Sequence, residues 1–290
     1  MRKSIFGLIV LLPILMGCSE DEDKVIQTDL PTEAAQLFSI STDWNESLYF
    51  AMISWEEYLQ MDTVGLARLP SCPDIFLDEA AREVTLQFSS STECSQTGAY
   101  DRKGKLIIKF DTTLLSPAKR WVMEYDGYYF GTKSIEGTRT YSSDDSIQVS
   151  EEFTEIIERS ENGLSTVFSG KFIHAKTFLS DTLEIDSLSA DSLVFVESLS
   201  SLTSMGRIQG INATGRDFEI TMETPITHVI SCYTQNEILP RAGMENWSIS
   251  RKENSQVTYR VAYEPLVEDC KVAANATLPD GKKLLLNPTE

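Results

Sequence analysis

The sequence predicts a mainly β protein with an amphipathic helix near its N-terminus, built as an antiparallel sandwich or as partly open, barrel-like sheets. Many short segments alternate apolar and polar residues, and turn signals separate them at roughly 8–12-residue spacing. Strict alternation of strands and helices is absent, which argues against a doubly wound sheet. The 290 residues include 41% hydrophobic and 24% charged residues, as is usual for a folded chain. We expect two β-rich halves.

The helical segment is predicted at residues 31–62. Asp43 and Glu46 have the spacing of a capping box, which predicts a helix that begins at Asp43. An apolar stripe follows at helical spacing, and it consists of Trp44, Leu48, Ala51, Met52, Trp55 and Leu59. Two tryptophans on one face could form a ligand platform, but such a stripe is more typical of packing against a core.

Strands are predicted from period-two alternation after Pro70. They cover 75–77, 84–88, 104–110, 121–130, 135–141, 148–158, 164–175, 208–213, 218–222, 226–232, 247–250, 257–263, 271–278 and 282–286. Asp280-Gly281 is the strongest hairpin signal, and it joins the last two of these strands. The first β-rich half is expected at 63–176 and the second at 205–290.

A Ser- and Asp-rich segment, 177–204, is predicted to be a connector between the halves. It contains three Asp-[Ser/Thr]-Leu units, too few for a solenoid. The tripeptide resembles the acceptor of Bacteroidota O-glycosylation, which makes Thr182, Ser187 and Ser192 candidate glycosylation sites.

The N-terminus predicts a lipoprotein. Residues 1–17 combine a basic start with an apolar run too short to span a bilayer. Leu15-Met16-Gly17-Cys18 resembles the bacterial lipobox, in which the cysteine is acylated. The membrane would then be contacted through a lipid anchor on Cys18, and residues 18–30 would form an acidic tether.

The acidic start of this tether resembles the export signal for the cell-surface face of the outer membrane. We therefore expect a lipid-anchored outer-membrane protein on that face, with the periplasmic face as the alternative. Loss of Arg2 and Lys3 with the signal peptide takes the net charge from −19 to −21. Such acidity argues against nucleic acid as a partner.

Four cysteines remain besides Cys18, and they permit three pairings. Cys72–Cys94 and Cys232–Cys270 are favoured, because each pair stays within one half. The close Cys and His spacing of a zinc site is missing, so neither a metal nor a cofactor is expected.

Several motifs, taken together, resemble a family of Bacteroidota surface lipoproteins over residues 70–287. They are Cys72-Pro-Asp-Ile-Phe-Leu-Asp, Val84-Thr-Leu-Gln-Phe, Gly104-Lys-Leu-Ile-Ile, Glu136-Gly-Thr-Arg-Thr140, Val257-Thr-Tyr, Ala276-Thr and Asp280-Gly-Lys. The segment 177–204 departs from the pattern. The resemblance implies a β-rich surface lipoprotein and brings no activity and no catalytic residues.

Catalytic motifs are not recognisable in the sequence. His174 and His228 lie in strand segments without an evident nucleophile or acid nearby, so each is interpreted as a structural histidine. Acidic pairs such as Asp144-Asp145 are interpreted as solvated charges. These observations leave an enzymatic role uncertain and less favoured than a binding or structural role.

Arg139 is the first candidate for a ligand contact, because its guanidinium suits a carboxylate or phosphate. The alternative is a cross-strand ion pair beside an aromatic ring. Trp121, Tyr125, Tyr128 and Tyr129 are candidates for a sugar-stacking surface, although such residues are also ordinary strand formers.

The expected function is a binding or adhesion module for a glycan or an envelope protein partner. The alternatives are an extracellular glycan-active hydrolase that uses a carboxylate pair, and a purely structural envelope protein. A hydrolase would require two carboxylates in one cleft.

Overall fold

The structure is a computed structural model, and it describes residues 22–64, 69–89, 101–111, 119–145, 147–183, 194–233, 235, 237–252, 255–267 and 270–287. The helices in this part of the chain are α1 Glu22–Asn45, α2 Leu48–Met52, α3 Trp55–Val64 and α4 Ile230–Tyr233. The strands are β1 Asp74–Asp78, β2 Glu83–Phe88, β3 Arg102–Phe110, β4 Lys119–Phe130, β5 Lys133–Ser143, β6 Gln148–Arg159, β7 Ser165–Leu183, β8 Val194–Ile211, β9 Asp217–Val229, β10 Ala242–Lys252, β11 Ser255–Pro265, β12 Val272–Thr277 and β13 Lys283–Leu285.

All thirteen strands form one open antiparallel sheet, in which each strand pairs with the next along the chain. The prediction of a mainly β, antiparallel fold with an N-terminal helix is therefore confirmed. The architecture is a single curved sheet rather than two packed sheets. Both predicted β-rich halves belong to it.

The concave face of the sheet surrounds the N-terminal helical segment. Leu37, Trp44, Leu48 and Phe50 on this segment are each no more than 2% exposed. Side chains from β3 to β7 and from β10 and β11 contact these helices, so the segment forms the centre of the core. It is not a helix laid on the surface of a sheet.

Bulges bend the strands around this central segment. The register shifts in β3, β4 and β5 fall at Gly104, Gly127 and Gly137, which all have positive φ. Glycine adopts this conformation without the steric penalty of a side chain, and a bulge sharpens the local bend. The bulges therefore give the sheet the curvature that the helices require.

Phenylalanine–glycine pairs line the concave face in the middle of the sheet. Phe153 lies opposite Gly170, and Phe172 lies opposite Gly206. A Cβ atom added to Gly206 would lie 2.3 Å from the carbonyl oxygen of Lys171 and 2.4 Å from the Phe172 ring. The Phe153 and Phe172 rings therefore lie over Gly170 and Gly206, where a larger residue would clash with them.

The prediction of a helix that begins at Asp43 is wrong. Asp43 lies inside α1, which continues to Asn45, and the chain is interrupted again before α3. A capping box does form, but it joins Ser54 and Glu57 at the start of α3, where the Ser54 N–H donates to Glu57 over 2.7 Å and the Glu57 N–H donates to Ser54 over 3.2 Å. The predicted apolar stripe does pack against the core, since its members from Trp44 to Trp55 are each no more than 7% exposed and Leu59 packs on them, but it is divided among three helices.

Three other boundaries differ from the sequence prediction. The segments 218–222 and 226–232 form one strand, β9, which ends at Val229 before the short helix α4. Residues 22–30 of the predicted tether are helical. Much of the predicted connector 177–204 is strand, because β7 and β8 extend into it as a hairpin.

A disulfide between Cys232 and Cys270 joins α4 to the turn before β12, which confirms one predicted pairing. Cys72 is also disulfide-bonded. Its predicted partner Cys94 lies outside the described residues, so that pairing stays a prediction.

Candidate functional site

Arg139, the first candidate from the sequence, lies inside the protein and is 1% exposed. Its guanidinium pairs with Glu151 on the neighbouring strand and also donates to the Trp44 carbonyl over 3.0 Å and to Ser47 Oγ over 2.8 Å. The predicted alternation is correct, since Thr138 and Thr140 face outward. The structure therefore supports the cross-strand ion pair and leaves Arg139 no access to an external ligand.

Glu151 is the centre of a buried polar network. Besides its pair with Arg139, it accepts a hydrogen bond from Trp44 Nε1 over 3.1 Å and contacts His174 Nε2 at 3.0 Å. Burial by itself would raise the pKa of Glu151, but Arg139 and His174 lower this pKa to about 2. A carboxylate held by three donors stays ionised and fixes the position of the helix against β5, β6 and β7.

Ser204, His174 and Glu151 form a continuous hydrogen-bonded series. His174 Nδ1 lies 2.8 Å from Ser204 Oγ, and its Nε2 faces Glu151. These are the residue types of a nucleophile, base and orienting acid. Each of the three side chains is at most 1% exposed, so no substrate reaches the hydroxyl in this conformation. This series could not be recognised from sequence spacing, because its members lie on three different strands.

A second group of hydrogen bonds links polar residues of the helical segment to the sheet. Glu46 accepts from Arg102 Nε over 2.9 Å and from the Tyr128 hydroxyl over 2.8 Å. Ser41 donates to Glu245 over 3.0 Å. These buried partners come from β3, β4 and β10. Strands at two separate places in the sheet therefore fix the orientation and the position of the helical segment.

Glu245 and His228 are buried without an opposite charge close by. Burial raises the pKa of Glu245 to about 7, although hydrogen bonds from Trp247, Ser41 and Tyr263 act in the opposite direction. Burial, assisted by the charge of His174, lowers the pKa of His228 to about 3. Neither ring nitrogen of His228 has a hydrogen-bond partner among the described residues. His228 is therefore neutral near neutral pH, whereas Glu245 changes its charge close to pH 7.

The candidate sugar-stacking residues do not share a surface. Trp121, Tyr125 and Tyr128 are buried, whereas Tyr129 is 44% exposed. Trp121 and Tyr125 follow the inward alternation of β4, and the bulge at Gly127 also turns Tyr128 inward. Three of the four predicted contacts thus belong to the core.

A groove of about 510 Å³ lies on the outer face of strands β7 to β11. Its rim and walls are the outward-facing residues Val167, Ser169, Gln209, Ile211, Asp217, Glu219, Ser248, Ser250 and Gln256. Hydroxyl, amide and carboxylate groups predominate, and two aliphatic residues close one end. This combination suits a ligand with many hydroxyl groups, because such a ligand both donates and accepts hydrogen bonds.

One row of the groove crosses four strands. Ser169 lies opposite Gln209, Gln209 opposite Glu219, and Glu219 opposite Ser248. Neighbouring strands are about 4.8 Å apart, so the row spans about 14 Å and matches an elongated ligand laid across the strands. Sequence reasoning missed these residues because isolated serines and glutamines on outward positions give no pattern of their own.

The hairpin of β7 and β8 projects beyond the rest of the sheet. From Thr177 on β7 and up to Ser200 on β8, the two strands pair only with each other among the described strands. Phe178 and Leu179 on this hairpin are 36% and 58% exposed. Thr182 lies on it opposite Phe195.

Several predicted sites cannot be placed. Cys18, Ser187 and Ser192 lie outside the described residues.

Within the part of the chain that the structure describes, no helix has the length and apolar character needed to cross a membrane. The same residues contain no cluster of three or more His, Cys, Asp or Glu side chains suited to a metal ion.

Comparison of the chain with protein-family models, curated proteins and solved structures gives no match. The site itself is therefore the basis on which a function is inferred.

Proposed function

We propose that this protein is a lipid-anchored outer-membrane lipoprotein that binds a glycan on the outer face of strands β7 to β11. The resemblance to Bacteroidota surface lipoproteins and the lipobox at Cys18 support the anchor and the cell-surface location. The groove on the outer face supports the ligand class. Of these observations, the groove carries the binding proposal.

The lining of the groove favours binding over hydrolysis. A glycan-active hydrolase needs two carboxyl groups that flank the scissile bond from different sides. Asp217 and Glu219 are the carboxylates of the groove, and they stand two residues apart on one face of β9. Both would contact the same side of a bound sugar, where they accept hydrogen bonds from its hydroxyl groups.

The test is a glycan-array measurement on the purified mature protein and a variant with a filled groove. Ser248→Trp places a large side chain in the groove at an outward strand position, where aromatic residues are tolerated. We expect this variant to lose the glycan signals of the unaltered protein. Thr138→Trp is the matched control, since Thr138 faces outward on β5 away from the groove.

Equal binding by the unaltered protein and Ser248→Trp would contradict a glycan site in the groove. Release of shorter saccharides from bound glycans would instead support the hydrolase alternative.

A protein partner is the second candidate, and the projecting hairpin favours it. A two-stranded hairpin is marginally stable alone in water, and its unpaired edges can accept another strand. Exposed Phe178 and Leu179 would then lie in the interface. Retention of an envelope protein that is lost with Phe178→Ser and Leu179→Ser, without any glycan binding, would favour this function.

A further inference from the structure

The outer face of β7 and β8 is organised in successive cross-strand pairs. Within and beside the groove these pairs are Val167 with Ile211, Ser169 with Gln209, Lys171 with Arg207, and Ile173 with Met205. The first two pairs line the groove. The third pair places two cations side by side at the end of the groove.

Lys171 and Arg207 are both exposed and lie directly opposite each other. Like charges in this arrangement destabilise a sheet unless an anion neutralises them. Arg159 and Arg260, by contrast, each have an acidic partner on the outer face, Glu136 and Glu223 respectively.

Within the described residues, the side chains of Lys171 and Arg207 form no ion pair and no hydrogen bond. Glu152 lies opposite Lys171 on β6, whereas Arg207 faces Thr221 on its other side. Among the residues directly opposite the pair, one acid faces two cations, which leaves positive charge at this point in a chain with a net charge of −19. This local excess of positive charge is complementary to an anionic ligand.

The cations are close enough to the groove to contact the same ligand. Cross-strand pairs on one face are two residues apart, which is about 7 Å along an antiparallel strand. Lys171 and Arg207 therefore stand about 7 Å from Ser169 and Gln209. A ligand that fills the groove needs to extend by only one such step to reach both charges.

We propose that the glycan bound in the groove is acidic, with its acidic group held by Lys171 and Arg207. This inference rests on the proposed glycan-binding function and specifies its ligand. The sugar hydroxyls donate to Asp217 and Glu219, and the acidic group accepts from the two cations. The guanidinium of Arg207 offers paired N–H donors that suit a carboxylate or a sulfate ester.

The two carboxylates in the groove argue against a plain anionic surface as the ligand. Asp217 and Glu219 would repel densely packed phosphates of a lipid surface, whereas they accept hydrogen bonds from uncharged hydroxyl groups. An acidic glycan carries both hydroxyl groups and acidic substituents. It can therefore donate hydrogen bonds to the carboxylates and accept them from the cations.

The experiment is calorimetric titration of the purified mature protein with three oligosaccharides. Oligogalacturonate carries carboxylates, its methyl ester has the same sugars without charge, and a chondroitin sulfate oligosaccharide carries sulfate esters as well. We expect the acidic ligand to bind at least about tenfold more tightly than the methyl ester at low salt. The preference between carboxylate and sulfate identifies the acidic group.

The variant Lys171→Gln with Arg207→Gln should lose this preference and bind the acidic ligand about tenfold more weakly. It should bind the methyl ester as the unaltered protein does. The control is Lys103→Gln with Lys105→Gln, which makes the same change in charge at exposed positions on β3. An equal loss in the control would show that net charge alone is responsible and would overturn the proposal.

The remaining outcomes separate this inference from the proposed function. Neutral glycans could bind, lose that binding with Ser248→Trp, and be bound as tightly as acidic glycans. That result would exclude the acidic ligand and leave the glycan site in the groove. If no oligosaccharide binds, both proposals fail. Binding to anionic lipid vesicles through Lys171 and Arg207, without oligosaccharide binding, would overturn the glycan in favour of a membrane surface.

Discussion

Buried polar side chains hold the helical segment in one position within the sheet. Arg139 and Glu151 contact each other across β5 and β6, and both also contact the helical segment through Trp44. Water no longer solvates these charges, so each depends on its partner. Loss of one member leaves an uncompensated charge inside the protein, which is far more destabilising than loss of an exposed pair.

Arg139→Ala should therefore lower the free energy of unfolding by about 3–5 kcal/mol. Urea unfolding followed by circular dichroism measures this change. Arg159→Ala is the matched control, because Arg159 forms an exposed pair with Glu136. Its effect should stay below about 1 kcal/mol. Equal effects of the two substitutions would contradict a buried network around Glu151.

Glu245 gives the stability a dependence on pH. An unfolded glutamate releases its proton near pH 4.5, whereas Glu245 in the folded protein keeps it to about pH 7. The folded state therefore binds the proton more strongly. The resulting stabilisation is fully present below pH 4.5 and is lost as the pH rises through about 7.

Glu245→Gln replaces the titrating group with a neutral one of similar shape. The stability of this variant relative to the unaltered protein should rise by about 3 kcal/mol from below pH 4.5 to above pH 7. Urea unfolding at several pH values measures the difference. A difference that is constant with pH would show that Glu245 titrates normally.

The comparison with the variant is necessary because His228 acts in the opposite direction. Its pKa falls from 6.5 to about 3 on folding, so its contribution is present above pH 6.5 and is lost as the pH falls towards 3. Between pH 4.5 and 6.5 the two effects oppose each other. Subtraction of the two stability curves isolates Glu245.

The strands were largely predictable, because alternation of apolar and polar residues directly reports which face of a strand is buried. β2 and β5 follow that alternation, and the Asp280-Gly281 turn lies between β12 and β13 as predicted. The helices were not predictable in the same way. Glu33 and Glu46 are buried, although acidic residues on a helix normally indicate a solvated face.

The strong curvature of the sheet depends on glycines that face inward. Gly206→Ala should destabilise the protein by about 1–3 kcal/mol, because the added methyl group would meet the Lys171 carbonyl and the Phe172 ring. Thermal unfolding followed by circular dichroism measures the loss.

Gly163→Asn is a suitable control for Gly206→Ala. Gly163 lies in the turn after β6, and nothing lies within 4 Å of an added Cβ. Asparagine tolerates its positive φ of 80°. A larger loss from this substitution than from Gly206→Ala would contradict the close approach of β7 and β8.

The groove was beyond sequence reasoning for a different physical reason. Its residues come from five strands, and each contributes only one or two small polar side chains. Only the register of the sheet brings Ser169, Gln209 and Glu219 into one row. The residues that the sequence did single out were large, and in this sheet large residues such as Trp121 and Arg139 point inward.

The predicted lipid-bearing position and the core are close together in the chain. α1 begins at Glu22, so only residues 19–21 separate its start from the predicted lipid-bearing Cys18. Residues 22–30 span about 13 Å as a helix, far less than an extended tether. The sheet would therefore lie close to the membrane while its outer face remains open to ligands.

Labelling of intact cells with a fluorescent acidic oligosaccharide tests anchoring, exposure and binding together. We predict that cells with the unaltered protein bind the label. Cells with Lys171→Gln and Arg207→Gln, at equal protease-accessible protein, should bind about tenfold less. Equal labelling of the two strains, or labelling only after the outer membrane is permeabilised, would contradict a surface lipoprotein that binds its ligand on β7 to β11.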